Sequence, residues 1–273
     1  MKAYFSGGHW DKVGAFVDQS PVSPATQSRP APLRLVHRVH RRWRPAQSSA
    51  YPAAKLRRTA PQLFSSLDEQ DNAALRQFAL SEARNGQYET AIASFDILLD
   101  HNPLSAVDYN NRGLVYFQMG QPTRAIADYN RALSLNPNLD SAYNNRANYH
   151  AARGEVLEAI LDYDLSIELN PTNIRAWINQ GITFRDMGMY EHALENFDVA
   201  LHLVEPGSCL QGHVYAERGR VQHLNGDWNC AVADYNKAIA YLPQPIPPFN
   251  TTSIRLRVQV EVWLDDLLSP LQS

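Results

Sequence analysis

The chain has 273 residues, 44% hydrophobic and 19% charged, with two cysteines and a formal net charge of -3. That balance belongs to a globular protein of one extended domain or two compact ones. No stretch nears the roughly 18 apolar residues of a membrane span, and the opening residues lack the charged-then-apolar order of a secretory signal. Cys209 and Cys230 have no CxxC partner, which suggests neither a disulfide framework nor a zinc site and fits a reducing, cytoplasmic setting best.

Charge divides the chain sharply: residues 1–60 hold 11 Lys/Arg and 2 Asp/Glu, residues 61–273 hold 14 and 26. The first part is rich in Pro, Ser, Ala and Arg without a repeat, and reads as a disordered basic tail. Within it, "LRLVHRVHRRWR" sets Leu35 or Val36, Val39 and Trp43 at helical spacing among Arg34, Arg38, Arg41, Arg42 and Arg44. Such a segment suits an anionic membrane, a nucleic acid or an organelle-targeting sequence, which would replace the cytoplasmic setting. A tail docking on its own acidic domain, or a misplaced start codon, fits it as well. Contact with nucleic acid or a membrane surface is thus expected only through residues 29–58. His37 and His40 lack carboxylate or thiol companions, so no metal site is expected.

After a linker at 61–71, the chain repeats with a period of 34. Glycines at Gly86, Gly120, Gly154, Gly188 and Gly226 are each followed by an alanine five residues on, then by Phe95, Tyr129, Tyr163, Phe197 or Tyr235. Pro103, Pro137, Pro171, Pro206 and Pro243 close the units, which span 72–105, 106–139, 140–173, 174–207 and 212–245. Glycine can take the left-handed conformation that ends one helix, and proline cannot continue a second, so each unit predicts two antiparallel helices. Small residues at Gly113, Ala147, Gly181 and Gly219 permit close approach, and Tyr109, Tyr143, Trp177 and Tyr215 fill the remaining space. One helix pair cannot cover its own apolar face, so stacking is obligatory. The insertion in "VEPGSCLQ" is expected to loosen or re-angle the fourth joint.

Arg112, Arg146 and Arg218 hold the seventh place where Asp128, Asp162 and Asp234 hold the twenty-third. The fourth unit has Gln180 with Asn196, and the first has Phe78 with Ser94. Both places are equally distant from the turn glycine, which predicts a salt bridge, or an amide pair, across each hairpin.

Residues 246–273 comprise a proline-rich connector and a last element. Alternation from Ile254 to Leu264 has the period of a strand, but no partner strand exists. Leu256, Val260, Trp263, Leu264 and Leu267 also fit one face of a helix, which is the expected element.

These recurring residues resemble the tetratricopeptide repeat family over almost two-thirds of the chain. The first unit departs most, with Leu75, Phe78 and Glu82 in place of the usual first-helix pattern, as befits an end cap. The resemblance implies an all-α, right-handed superhelical solenoid of five helix-turn-helix units with a C-terminal capping helix. It also implies a concave wall of first helices, where family members hold extended peptides or a partner's helix. Counting by register, that wall carries Arg76, Arg84, Asn110, Asn144, Asn148, Arg175, Arg185 and Arg220, and its 25 places hold five Arg and one Asp. A positive channel in an acidic body would attract an acidic peptide or a free carboxylate; the plain alternative is that Arg is a good solvated helix former. Asn111, Asn145 and Asn179, at the sixth place, either bind a ligand's backbone, as in some family members, or bond to a neighbouring helix. The lysines of carboxylate-clamping members are absent.

There is no phosphate-cradling glycine loop, no HExxH and no nucleophile with a base partner. The expectation is a non-catalytic scaffold with no cofactor and no small-molecule substrate. It would bind an acidic peptide or partner segment in the groove, as an assembly factor or co-chaperone. The alternative is an RNA- or membrane-associated protein acting through the basic arm.

Overall fold

The computed structural model describes residues 69–244 and 252–269. The basic arm, with its Leu35 to Trp43 stripe, His37 and His40, lies outside the described residues, as do most of the linker and the connector. The described residues form eleven helices and no strand. They are α1 (Glu69–Arg84), α2 (Tyr88–His101), α3 (Ala106–Met119), α4 (Pro122–Leu135), α5 (Asp140–Arg153) and α6 (Val156–Leu169). The series continues with α7 (Ile174–Asp186), α8 (Tyr190–Leu203), α9 (Cys209–Asn225), α10 (Trp228–Tyr241) and α11 (Thr252–Leu268). Five helix pairs stack in sequence and α11 closes the end, a tetratricopeptide-type solenoid.

The turn between the helices of a pair follows from glycine. Gly120 takes φ +90°, its N–H donates to the Phe117 carbonyl, and Gln121 N–H reaches the Tyr116 carbonyl at 2.8 Å. This pair of bonds satisfies two of the orphan carbonyls at the helix end. The second helix ends less simply than by proline alone. In the first three units an asparagine precedes the proline, and its side-chain oxygen accepts the N–H two residues on: Asn102 from Leu104, Asn136 from Asn138 and Asn170 from Thr172. The asparagine builds the turn and the proline blocks continuation.

Packing within each pair rests on a small residue against an aromatic ring. A methyl group added at Gly113 would lie 2.8 Å from Tyr129, and one at Gly181 would lie 2.8 Å from Phe197, closer than carbon atoms approach. Phe95, Tyr129, Tyr163, Phe197 and Tyr235 are each wholly buried.

The charged seventh place pairs as its spacing predicts. Arg112 donates to both oxygens of Asp128 at 2.8 Å, Arg146 to both of Asp162 at 2.7 Å, and Arg218 to both of Asp234 at 2.6 and 2.8 Å. In the fourth unit Asn196 donates to Gln180 at 3.1 Å. Each arginine has a further partner that spacing within one unit does not reveal. Arg112 extends to Asp96, Arg146 to Asn130 and Arg218 to Asp198, all on the second helix of the preceding unit. One guanidinium therefore ties its own hairpin and the neighbouring unit together. The same arginines lie over Tyr109, Tyr143 and Tyr215 one turn earlier, at 5.4 to 5.5 Å from the ring centres.

The insertion between the fourth and fifth units does not loosen their joint. Ser208 accepts the Gln211 N–H and starts α9 one turn early, so most of the extra residues become helix. Arg218 still reaches Asp198 across the joint at 2.6 Å.

The last element is the helix α11 rather than a strand. Leu256, Val260, Trp263 and Leu267 pack on Ala231, Tyr235, Ala238 and Leu242. Arg257 is buried there and donates to the Ile239 and Leu242 carbonyls, so it satisfies the open C-terminal end of α10.

Candidate functional site

The inner wall assigned by register is built from α1, α3, α5, α7 and α9, and its five arginines divide into two groups. Arg76 donates to both oxygens of buried Asp108 at 2.5 and 2.8 Å, joining α1 to α3. Asp108 also accepts Ser105 Oγ at 2.6 Å. Arg185 pairs with Asp186 and with buried Glu217, joining α7 to α9. Burial pushes the Glu217 carboxyl above its ordinary range, with Arg185 drawing it back. Arg76 and Arg185 are therefore ties between units and not free ligand contacts. Their partners on the following unit, Asp108 and Glu217, occupy the third and sixth places, which the register count left out of the groove.

Arg84, Arg175 and Arg220 form the other group, and none of them makes an ion pair with a carboxylate among the described residues, although the charge of Arg220 acts on Glu217. Arg175 stays exposed, yet the surrounding protein and the like charge of Arg84 lower its pKa. The charge at the end of α1 thus acts on the start of α7. Arg220 lies over the ring of Trp263, 4.9 Å from its centre, and borrows stabilisation from the capping helix.

The asparagines are mostly bonded within the scaffold. Asn145 donates to Asn110 Oδ1 at 2.9 Å, so the reading as a bond to a neighbouring helix holds there. Weaker contacts extend this into a chain of amides: Asn144 reaches Asn145 at 3.4 Å, and Asn110 reaches Asn111 at 3.5 Å. Asn148 accepts the Tyr163 hydroxyl at 3.2 Å. Asn110, Asn144, Asn145 and Asn148 are all buried, which corrects their assignment as open groove contacts; Asn111 is half-buried. Asn179 is buried too, with neither amide atom hydrogen-bonded. The register places at Phe117, Ile178 and Ile182 are likewise closed by packing, while Val107 and Arg175 stay open at the starts of their helices.

The histidines of α9 are tied to the C-terminal end. His213 Nε2 lies 2.9 Å from Ser253 Oγ of α11, and His223 Nδ1 lies 3.3 Å from the Tyr235 hydroxyl. Burial and the charge of Arg220 lower the His223 pKa against the opposing pull of Asp266, which favours its neutral form. Among the described residues no group of three His, Cys, Asp or Glu side chains could hold a metal ion, and no helix is long and apolar enough to cross a membrane.

Residues 106–139 match the tetratricopeptide repeat family model. No curated protein matches the sequence. Among solved structures, a thermophilic TPR protein of Thermus thermophilus superposes with a TM-score of 0.58 at 15% identity, over 72% of this chain and 99% of its own. PilW, described as a widely conserved type IV pilus biogenesis factor, gives 0.57 at 18% identity, over 76% and 100%. PilF of Pseudomonas aeruginosa gives 0.57 at 21% identity, over 74% and 89%. These likenesses are likenesses of fold.

Proposed function

We propose that this tetratricopeptide-type array is a protein-interaction scaffold and holds an acidic, extended segment of a partner protein along its inner wall. The observation that carries this reading is the division among the groove arginines. Arg76 and Arg185 are neutralised by Asp108 and Glu217, whereas Arg84 and Arg175 make no ion pair with a carboxylate among the described residues, and burial with the like charge of Arg84 disfavours the charge on Arg175. A ligand carboxylate beside Arg175 offsets that effect and accepts paired guanidinium hydrogen bonds. Arg220 extends the positive track toward the capping helix, with half-buried Asn111 as the amide left for a ligand's backbone. No catalytic step is assigned to the array; an assembly or co-chaperone role would follow from holding one partner segment while its remainder stays free to engage others.

The test measures binding of a labelled acidic peptide and of its lysine counterpart by fluorescence anisotropy. Arg84→Glu with Arg175→Glu is expected to weaken the acidic peptide by at least about tenfold, from loss of two charge-assisted contacts. Arg124→Glu with Arg131→Glu, on the second helix of unit two, is expected to leave it unchanged. Equal binding by wild type and the groove variant overturns the proposal. Binding that survives in the groove variant but disappears on removing residues 1–60 assigns it instead to the basic arm.

A further inference from the structure

The second helix of the third unit, α6, exposes Leu157, Leu161, Leu165 and Leu169, at 73, 61, 40 and 39% of their full accessibility. Scattered exposed leucines need no explanation, but the repeat supplies four internal controls. The same four places read Glu89, Ala93, Ile97 and His101 in the first unit, and Thr123, Ala127, Arg131 and Leu135 in the second. They read Glu191, Glu195, Val199 and Leu203 in the fourth, and Asn229, Ala233, Lys237 and Tyr241 in the fifth. Only the third unit has leucine throughout, in steps of four residues along one ridge. Stacking cannot account for it, because the same places do not require leucine in the other units.

We infer that this leucine ridge is the docking site for residues 34–44 of the same chain. Leu35, Val39 and Trp43 also advance in steps of four, and two ridges of that kind interdigitate in the commonest mode of helix packing. Charge selects the same occupant. Arg34, Arg38, Arg41, Arg42 and Arg44 surround the arm's apolar stripe. Glu158, Asp164 and Glu168 flank the ridge on α6, and Glu191 and Glu195 follow on α8. A second copy laid ridge to ridge would bring the acids of α6 against themselves, whereas the arm brings five positive charges to them. The tether suffices: the 24 residues between Arg44 and Glu69, at about 3.3 Å each when fully extended, can reach at most about 80 Å. Two stacked helix pairs require on the order of 20–30 Å. The arm thereby lies on the acidic outer face and leaves the inner wall open.

The experiment follows tryptic cleavage after Arg34, Arg38, Arg41 and Arg42 in the full-length chain at low salt, read by mass spectrometry. Leu161→Ser with Leu165→Ser removes only exposed apolar groups, so the melting temperature should hold while cleavage at those arginines becomes about tenfold faster. Val39→Ser with Trp43→Ser is expected to give the same release from an intact ridge, and about 0.5 M salt should weaken the wild-type protection. Equal cleavage rates in wild type and the ridge variant overturn the inference. A wild-type dimer that becomes monomeric in the ridge variant, with or without a change in cleavage, also overturns it and assigns the ridge to a second copy.

Discussion

Units three and four close the same hairpin contact with different chemistry. In unit three Arg146 grips both oxygens of Asp162, lies over Tyr143 and reaches back to Asn130. In unit four Gln180 and Asn196 make one amide hydrogen bond, both wholly buried, and Gln180 Nε2 has no partner. The charged pair keeps part of its guanidinium in water, with 24% of the Arg146 side chain accessible, while the amide pair does not. The place of the contact follows from hairpin geometry. Its chemistry is free to change only when both partners change together, because a lone buried charge is costly.

Four experiments test that comparison, from the largest effect to the smallest. Asn196→Asp places a carboxylate opposite Gln180 in a fully enclosed site and should destabilise by about 3 kcal/mol at neutral pH. Burial raises the folded pKa of the new group, so the deficit present at neutral pH should shrink as pH falls toward 4. Adding Gln180→Arg should restore most of the loss in urea unfolding; no recovery would show that the two sites are not equivalent. Gly181→Ala brings a methyl group 2.8 Å from Phe197, at a cost of about 1–3 kcal/mol from overpacking. Unit three already holds Ala147 within the core that contains Tyr163, so a neutral result would mean that the two helix pairs have the same spacing.

A double-mutant cycle on Arg146 and Asp162 should give a coupling of about 1–2 kcal/mol, above that of exposed pairs; no coupling would reduce the contact to packing alone. The smallest effect lies at the rim, where unit three has His150, Arg153 and Glu155 and unit four has Phe184, Met187 and Met189. Burial raises the Glu155 pKa, but hydrogen bonds and charge from Arg153 and His150 together outweigh it and hold the carboxyl below its ordinary value. Its contribution is present above the unfolded pKa and lost as pH falls through the folded one. Glu155→Gln should therefore cost a few tenths of a kcal/mol near neutrality and nothing in strong acid, as read from melting temperature against pH.

The pairing of Arg146 with Asp162 was legible because both residues sit equally far from Gly154, and a hairpin turns equal separation into equal height. The third partner, Asn130, belongs to the neighbouring unit. Its signal was a polar residue recurring at the twenty-fifth place, as Asp96, Asn130, Asp164 and Asp198, which has no meaning until the units are stacked. α11 was legible through its apolar spacing once a strand lacked a partner. The asparagine turns before Pro103, Pro137 and Pro171 were masked by the stronger proline signal.

The inner wall was harder to read. Arg76 and Arg175 look alike in the repeat register, but one meets Asp108 and the other makes no ion pair among the described residues. What the sequence alone determined is everything set by local spacing: helix ends, hairpin pairs, the ring against each small residue and the sealing helix. Only the tertiary structure decided which arginines stay unpaired, which asparagines are buried and that the leucines of α6 face outward. Those outcomes depend on the rotation between successive units, which accumulates along the stack and brings together residues that no spacing relates.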